Sequence, residues 1–487
     1  MHQPGCYYGV NSLPLAKVRD KKGNERFDIN DRSTGEEIVE YYLKVAKQFE
    51  ECGRVQMLFN SEYTADENGN HVVTNITDGK VTKVSCKKVV TVHNNVLVPS
   101  MRGAPFSVDC SIKFAPVNDL PNLIQSKQYT KYVVIGAGKT GCDAITYLLI
   151  NGIDQSAITW IISRDVWWFL RNGCWKEGYQ GYKTFRKDSA VILDALIGKA
   201  KTAEEVFLEY EKCGVMARLD PKNRPIPRVF KGPIIDAEEL VGLRSIDDIV
   251  HLGRVTEITG DAIILQKGTV PLSSPSDTLI VDCMADFDGQ FYGYREIPED
   301  FKMFEKERIN LGPQPVSFNP SCSSAIIAYI ESTFIDDDTK NSLIYFVHRK
   351  EDSKPSPDLW LAVLYCQTKT FEALGKYPQA MKFIVNSRTF LDAPMHHYNG
   401  MLGFLWALFG PLQLEKKSSE FTRKIENGGF TTVQDSYGYA NRQLPKPNEL
   451  KLKLKQKGKE PSNYPPKDPK PKVRYNCCAT AEVEVIQ

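Results

Sequence analysis

Residues 131–164 read KYVVIGAGKTGCDAITYLLINGIDQSAITWIISR, and this stretch decides the fold of the chain. Its first part, 132–135, is a short apolar run bounded by glycine, typical of a parallel strand buried on both faces. Apolar residues then recur at helical spacing as far as Asn151-Gly152, which predicts a helix ending there. A second apolar run at 158–162 predicts another strand. The stretch is therefore interpreted as one β-α-β unit of an α/β fold.

The turn between the first strand and the helix matches the pattern GxGxxG. Gly136 permits a tight turn, Gly138 lets the backbone approach a pyrophosphate, and Gly141 lets the helix pack closely on the sheet. Phosphates would lie at the helix N-terminus, where Lys139 and Thr140 stand in the first turn. The pattern predicts dinucleotide binding. The alternative is a doubly wound sheet whose glycines serve the turn and bind nothing.

The end of the second strand indicates which dinucleotide is bound. An acidic residue at this place hydrogen-bonds the ribose of NAD, whereas an arginine pairs with the 2′-phosphate of NADP. Here Ser163 and Arg164 follow the strand, which favours NADP, although Asp165 comes next and argues the other way. A P-loop is excluded because GxxxxGK[ST] requires glycine at position 133, where the chain has Val133.

Composition places the chain among ordinary globular proteins. Its 487 residues, 42% of them hydrophobic and 25% charged, suffice for two or three domains. The formal net charge of +2 gives no global field that would recruit nucleic acid or a membrane surface. Twelve cysteines without a disulfide framework fit a reducing, cytoplasmic setting. The few histidines show no zinc spacing, and no apolar run is long enough for a spanning helix, so neither a metal site nor a membrane span is predicted.

The segment before the β-α-β unit is predicted to begin with a helix and continue as strands. Ser33 or Thr34 caps a helix that runs to about Glu51, with acidic residues in its first turn. Short strand-like runs separated by Asn, Asp and Gly turns then predict a small antiparallel meander. These runs are 55–59, 72–77, 81–85 and 89–92.

The segment after the unit alternates helices and strands. Helices are predicted at 190–200, 203–212, 237–243 and, with Ser321 as a cap, 318–333; strands are predicted at 250–258, 262–266 and 279–283. Asp282 would lie at the carboxyl edge of the sheet, where open α/β sheets bind ligands. Arg218, Arg224 and Arg228 lie in or near a proline-rich loop, where they either reach a phosphate or remain solvated.

The C-terminal tail has a composition of its own. Residues 445–474 carry ten Lys and Arg against three acidic residues, with frequent prolines. Such a segment builds no core, so a disordered, solvated tail is predicted. Contact of the tail with nucleic acid or acidic lipid is the alternative, and the near-neutral charge of the whole chain argues against it.

Four stretches together resemble flavin-containing monooxygenase-like, NAD(P)- and FAD-dependent oxidoreductases. They are HQP and YYGVNS within 2–12, IGAGKTGCD at 135–143, SRDVW at 163–167 and DCMAD at 282–286. The resemblance covers most of residues 1–335 and implies two nested Rossmann-like domains, an FAD domain interrupted by an NADPH domain. In this family NADPH reduces FAD, and the reduced flavin passes one oxygen atom from O₂ to a small-molecule substrate.

The resemblance, taken with the motifs, implies cofactors, site residues and domain limits. The NADPH candidates are Gly136, Gly138, Lys139, Thr140, Gly141 and Arg164, and the FAD candidates are His2, Gln3 and Asp282. No catalytic residue is identified. The predicted segments are a partial FAD-binding domain with the meander (1–128), an NADPH-binding domain (129–250), a return to the FAD domain (251–335), a helical region (336–444) and the tail (445–487).

The chain departs from the family pattern in two places. Residues 1–130 contain isolated glycines and no GxGxxG for FAD. The linker motif FxGxxxHxx[WY], counted from Phe114, meets Pro116 and Leu120 at its glycine and histidine positions. Two hypotheses follow. The first is an NADPH-dependent, flavin-linked, monooxygenase-like enzyme, and the second is a non-catalytic NADP-binding module or truncated isoform that has lost FAD binding.

Overall fold

The fold is described from a computed structural model of the chain. It describes residues 33–65, 71–92, 99–171, 192–284, 300–312, 314–316, 319–349, 356–385 and 416–430, short stretches at 9–11, 18–19, 25–26, 437–439 and 482–484, and the single residues 13, 15, 387 and 433. The FAD candidates His2 and Gln3 lie outside these residues, as does nearly all of the basic tail.

The described elements are numbered in chain order. The strands are β1 (Val18–Arg19), β2 (Glu25–Arg26), β3 (Ser61–Ala65), β4 (His71–Asn75), β5 (Val81–Ser85), β6 (Val89–Val92), β7 (Ser107–Val108), β8 (Lys113–Pro116), β9 (Lys131–Ile135), β10 (Ile158–Ile161), β11 (Trp168–Leu170), β12 (Met216–Ala217), β13 (Ile234–Ile235), β14 (Asp248–Val250), β15 (Val255–Ile258), β16 (Ala262–Leu265), β17 (Gly268–Pro271), β18 (Thr278–Asp282), β19 (Arg308–Leu311), β20 (Val347–Arg349), β21 (Tyr437–Tyr439) and β22 (Glu482–Glu484). The helices are α1 (Gly35–Glu51), α2 (Pro99–Arg102), α3 (Leu120–Ser126), α4 (Lys139–Ile150), α5 (192–197), α6 (Ala203–Lys212), α7 (Ala237–Arg244), α8 (Pro320–Thr333), α9 (Asp337–Ser342), α10 (Pro357–Gly375), α11 (Pro378–Val385) and α12 (416–426).

The centre of the fold is a five-stranded sheet in the order β14-β10-β9-β18-β8, and all its strands are parallel. The middle strands β9 and β18 are buried almost throughout, as expected for a parallel sheet covered on both faces. The predicted α/β class and the β-α-β unit are confirmed by this sheet. Because parallel strands end at the same edge, the segments after β9, β10, β14 and β18 meet there.

The two faces of this sheet carry different layers. Val134 and Trp160 face helices α4 and α7 and share a buried cluster with Leu148 and Leu243. Val133 and its face-mates pack instead on a four-stranded sheet in the order β17-β16-β15-β7. The alternation of neighbouring residues between the two clusters follows the two-residue period of a strand. The unit therefore has three layers, one of helices and two of sheet.

Strands β6 and β19 pair in parallel and flank the three-layer unit in sequence. The chain thus leaves β6, builds the unit, and returns at β19 beside the strand it left. The strand predicted at 279–283 forms as β18, which hydrogen-bonds β9 within the parallel sheet. The sheet also includes β8, which lies before residue 129, and β18, which lies after residue 250.

The N-terminal helix forms as predicted. The Thr34 hydroxyl accepts the Glu37 N–H at 3.2 Å, and the Glu37 carboxylate accepts the Thr34 N–H at 2.7 Å, so a capping box starts α1. The meander consists of β3, β4 and β5, joined by β22 at its edge. The strand predicted at 55–59 is wrong, since these residues form neither helix nor strand. The chain bends at Asn60, with φ 49°, and β3 begins directly after it. The prediction of disorder is wrong for 482–484, which pair with β5.

Two further predictions are corrected by backbone geometry. The single strand predicted at 250–258 is split into β14 and β15, because Gly253 turns the chain with φ 84°. Helix α8 is capped by Asn319, whose side chain accepts the Cys322 N–H at 3.0 Å, and not by Ser321.

The described part of 336–444 is mainly helical, as predicted. It shares a large apolar core with α6 and α8, and Trp167 is buried in that core.

Within the described ranges every helix is too short or too polar to cross a bilayer. The same ranges hold no group of three or more His, Cys, Asp or Glu side chains placed to bind a metal ion.

Candidate nucleotide-binding site

The glycine turn after β9 is held by the neighbouring strand. Gly136 has a φ of 132°, a conformation that side chains strongly disfavour, and its N–H donates to Ile161 O at 3.0 Å. Its carbonyl accepts the indole N–H of Trp160 at 2.8 Å. The turn is therefore fixed at the carboxyl edge of the sheet before any ligand binds.

Gly141 and Gly138 face opposite surroundings. A Cβ atom at Gly141 would overlap the carbonyl oxygen of Gly136, so α4 packs on the turn only without a side chain there. A Cβ atom at Gly138 would meet nothing within 4 Å. Gly138 is the N-cap of the 12-residue helix α4, whose first turn presents N–H groups that lack partners within the helix. The open space lies where the dipole and these N–H groups favour an anion.

The two residues after Gly138 differ in accessibility. Thr140 is exposed in the first turn of α4. Lys139 is 7% exposed, and its ammonium bonds Asp143 on the same helix and Glu239 Oε1 of α7 at 3.2 Å. Glu239 also accepts the Asp236 N–H at the start of α7, at 2.7 Å. Lys139 thus joins α4 to α7, and this geometry disfavours the direct phosphate contact predicted for it.

Arg164 follows β10 and is exposed at the carboxyl edge of the sheet. Its charge acts on Lys231, as does the charge of Arg254, which follows β14. Burial, together with these two arginines, lowers the pKa of Lys231 to about 8. Arg164 and Arg254 thus both act electrostatically on Lys231, and Arg164 stands where the second strand of a β-α-β unit directs the ribose of a bound dinucleotide.

Sequence reasoning predicted a role for Arg164 and named neither Lys231 nor Arg254. Arg254 was placed inside a strand, whereas the positive φ of Gly253 interrupts that strand directly before Arg254. A glycine in the middle of a predicted strand was the available signal. Lys231 carried no local signal, because its position depends on the chain path between β12 and β13.

The arginines of the proline-rich region mostly have carboxylate partners. Arg218 makes a two-pronged contact with the Glu211 carboxylate, with its closest N–O distance 2.7 Å. Arg224 lies 3.5 Å from Asp165, whose other oxygen is 3.7 Å from Nδ1 of His251. Burial lowers the pKa of His251 below its ordinary value, against the opposing effect of Asp165. Arg218 and Arg224 are thus directed to carboxylates, and Asp165 is held by its own neighbours.

Asp282 ends β18 and is 1% exposed. One carboxylate oxygen accepts a bond from Arg102 at 2.8 Å, and the other accepts the Met284 N–H at 2.9 Å. Burial raises the pKa of Asp282, and the bonds from Met284 and Arg102 oppose this rise. Both oxygens are thus engaged inside the protein, which favours a structural role at this sheet edge over the predicted contact with flavin.

The chain has relatives of similar sequence in mycobacteria, and no family model matches it. The uncharacterized proteins Mb2023 of Mycobacterium bovis and Rv2000 of Mycobacterium tuberculosis are each 31% identical to it over 410 residues, covering 81% of this chain and 69% of the relative.

Similarity to solved structures is weaker. Tmm from Pelagibacter sp. strain HTCC7211 has a TM-score of 0.36 and 10% identity, covering 80% of this chain and 74% of Tmm. Cyclohexanone monooxygenase with bound ε-caprolactone has a TM-score of 0.32 and 13% identity, covering 89% of this chain and 92% of that structure. TM-scores this low establish neither a common fold nor an activity.

Proposed function

The chain belongs to the same family as the mycobacterial proteins Mb2023 and Rv2000, and we propose that it is an NADPH-dependent, flavin-linked oxidoreductase of the monooxygenase-like type. Its substrate would be a small molecule. The eight described cysteines are free thiols, which supports a reducing, cytoplasmic setting.

One observation carries the nucleotide part of this proposal, namely the open space above Gly138 at the N-terminus of α4. The pyrophosphate would lie there and accept N–H groups of the first helical turn, with Gly138 allowing close approach and Thr140 exposed beside it. Gly136 and Gly141 shape the turn and do not need to touch the ligand. Lys139 would act indirectly by holding α4 against α7.

The basic residues at the sheet edge support NADP over NAD. A 2′-phosphate beside Arg164 would be stabilised by two further positive charges, those of Arg254 and of Lys231 when protonated. NAD offers a neutral hydroxyl at this position, so it would make no charge-assisted contact with Arg164. The site is therefore expected to discriminate by charge.

The flavin part of the proposal has less support from the residues. A bound flavin would accept hydride equivalents from NADPH and supply the oxygen chemistry. The candidates His2 and Gln3 lie outside the described residues, and Asp282 is occupied by Arg102 and Met284. The described residues thus do not form a fitting flavin site, and flavin use rests on the sequence resemblance.

Two measurements on the purified chain test the proposal. Its visible spectrum is recorded with and without added FAD, and NADPH is then titrated anaerobically and the sample reopened to air. Flavin bands that NADPH bleaches and air restores are the expected result. Saturable NADPH binding without any retained flavin would replace the enzyme by the non-catalytic NADP-binding module. Absence of binding by either cofactor would contradict both functions.

The residue Arg164 provides a selective test of cofactor preference. We expect Arg164→Ala to raise the Kd for NADPH by about 10- to 100-fold, since a charge-assisted contact with the phosphate is lost. The Kd for NADH should stay within about twofold, because Arg164 has no phosphate to meet there. Calorimetric titration of both cofactors checks this. Equal losses for NADPH and NADH would show that Arg164 does not read the 2′-phosphate.

A further inference from the structure

Helix α1 carries apolar side chains on two sides. Tyr41 and Val45 lie one turn apart, are each 4% exposed and pack against the protein. Val39 and Leu43 also lie one turn apart, yet they are 61% and 63% exposed. A helix that packs against its own protein on one side normally carries polar residues on the solvent side. The second apolar side of α1 therefore has no role within a single chain.

This exposed side belongs to a region rich in exposed apolar side chains. Of the thirteen large hydrophobic residues exposed in the described part of the chain, ten lie between residues 39 and 90. On α1 itself, Tyr42 and the partly exposed Ala46 extend the row begun by Val39 and Leu43 at helical spacing. Scattered exposed hydrophobic residues are normal, whereas a cluster of them marks an interaction surface. The exposed row on α1 is thus a candidate contact face.

The charges on α1 are arranged to match a second α1. Glu36 and Glu40 lie in its first half, and Lys44 and Lys47 follow in its second half. Lys44 pairs with Glu40 at 2.7 Å and Lys47 with Glu51 at 3.8 Å, both within the helix. All four paired side chains are at least 65% exposed, so these pairs contribute little and can exchange partners.

An antiparallel arrangement satisfies the apolar row and the charges in one register. A two-fold axis at the middle of α1 reverses the chain direction, so residues equally far from the middle face each other. Leu43 of one copy then lies opposite Tyr42 of the other, and Val39 opposite Ala46. In the same register Glu36 of each copy lies beside Lys47 of the other. A parallel pair would instead place like charges together.

We propose that α1 is a dimerisation surface whose partner is α1 of a second copy of this chain, packed antiparallel. The apolar row supplies the contact, and the Glu36–Lys47 pairs fix the direction. A single 17-residue helix gives a contact below the standard interface size, so the dimer Kd is expected to be roughly 1–100 µM. This inference is independent of nucleotide binding.

Sedimentation velocity of the purified chain between about 1 and 200 µM tests the association. We expect a reversible monomer–dimer equilibrium. Leu43→Glu should raise the dimer Kd at least about a hundredfold, because symmetry places the new carboxylate in the apolar contact twice. The new Glu stands four residues before Lys47, so α1 should persist and the melting temperature should stay within a few degrees of wild type. Val241→Glu is the matched control, since Val241 is 70% exposed on α7, and it should dimerise as wild type does.

Charge reversal tests the antiparallel direction. Glu36→Lys and Lys47→Glu should each raise the dimer Kd about tenfold, since each makes both Glu36–Lys47 pairs repulsive. The double variant restores both pairs with opposite sign, so its Kd should lie within about threefold of wild type.

The outcomes are distinct from those for the proposed function, because NADPH binding should be unchanged in all these variants. A wild type that stays monomeric at about 200 µM would overturn the inference and leave the exposed face of α1 to a different partner. A dimer that persists in Leu43→Glu would overturn it too, since the interface would then lie elsewhere. Weakening by both single charge reversals without recovery in the double variant would overturn the antiparallel pairing.

Discussion

Replacing Gly138 by valine is expected to abolish NADPH binding while leaving the fold unchanged. The added Cβ meets no atom of the protein within 4 Å, and Gly138 has a φ of −76° that any residue adopts. The new side chain would instead occupy the space that the pyrophosphate needs at the N-terminus of α4. We expect the Kd for NADPH to rise at least about a hundredfold, with a melting temperature within a few degrees of wild type.

Gly141→Ala is the matched control in the same motif. Its Cβ would overlap the Gly136 carbonyl oxygen, which also accepts the Trp160 indole, so the turn has to move. We expect a loss of about 1–3 kcal/mol in the free energy of unfolding, measured by urea denaturation. Normal NADPH binding by Gly138→Val would show that the turn binds no dinucleotide. A large loss of stability in that variant would show that the space above Gly138 is not a ligand space.

The parts of the fold that depend on local pattern were predictable from sequence. The run at 132–135, the three glycines and the Thr34 cap all express constraints within a few residues, and each element formed where expected. The strand at 279–283 was also found, but its neighbour was not. Periodicity identifies a buried strand and does not say which sheet it joins, and the pairing of β18 with β9 joins residues far apart in sequence.

The site shows the same division between local and long-range information. Gly138 and Arg164 were predicted as site residues because the motif fixes their distance from strand ends. Lys139 was predicted to contact a phosphate because nothing in the sequence indicated its partner Glu239, which is 100 positions away in the chain. Asp282 was assigned to the ligand edge for a similar reason, since Arg102 is 180 positions from it. Charged residues at a predicted edge are therefore ambiguous until their distant partners are known.

Asp282→Leu is expected to destabilise the protein by about 3–5 kcal/mol, because it leaves the buried guanidinium of Arg102 without its carboxylate. The Arg102 side chain is 7% exposed, and within the described residues its Nε atom has no partner, so solvent offers little compensation. Urea denaturation of both proteins at pH 7 measures the loss. A loss below about 1 kcal/mol would show that this pair contributes little.

The double variant Arg102→Met with Asp282→Leu distinguishes the ion pair from simple packing. Replacing both charged partners by apolar side chains removes the uncompensated charge, so we expect most of the lost stability to return. The Met284 N–H still loses its acceptor, so recovery should stop short of wild type.

The pair also bears on nucleotide binding, because Cys283 follows Asp282 and donates its N–H to Ile135 O at 3.0 Å, directly before the glycine turn. Asp282→Leu should therefore weaken NADPH binding as well as folding, whereas the double variant, with the strand end held by apolar packing, should bind NADPH nearly as wild type does.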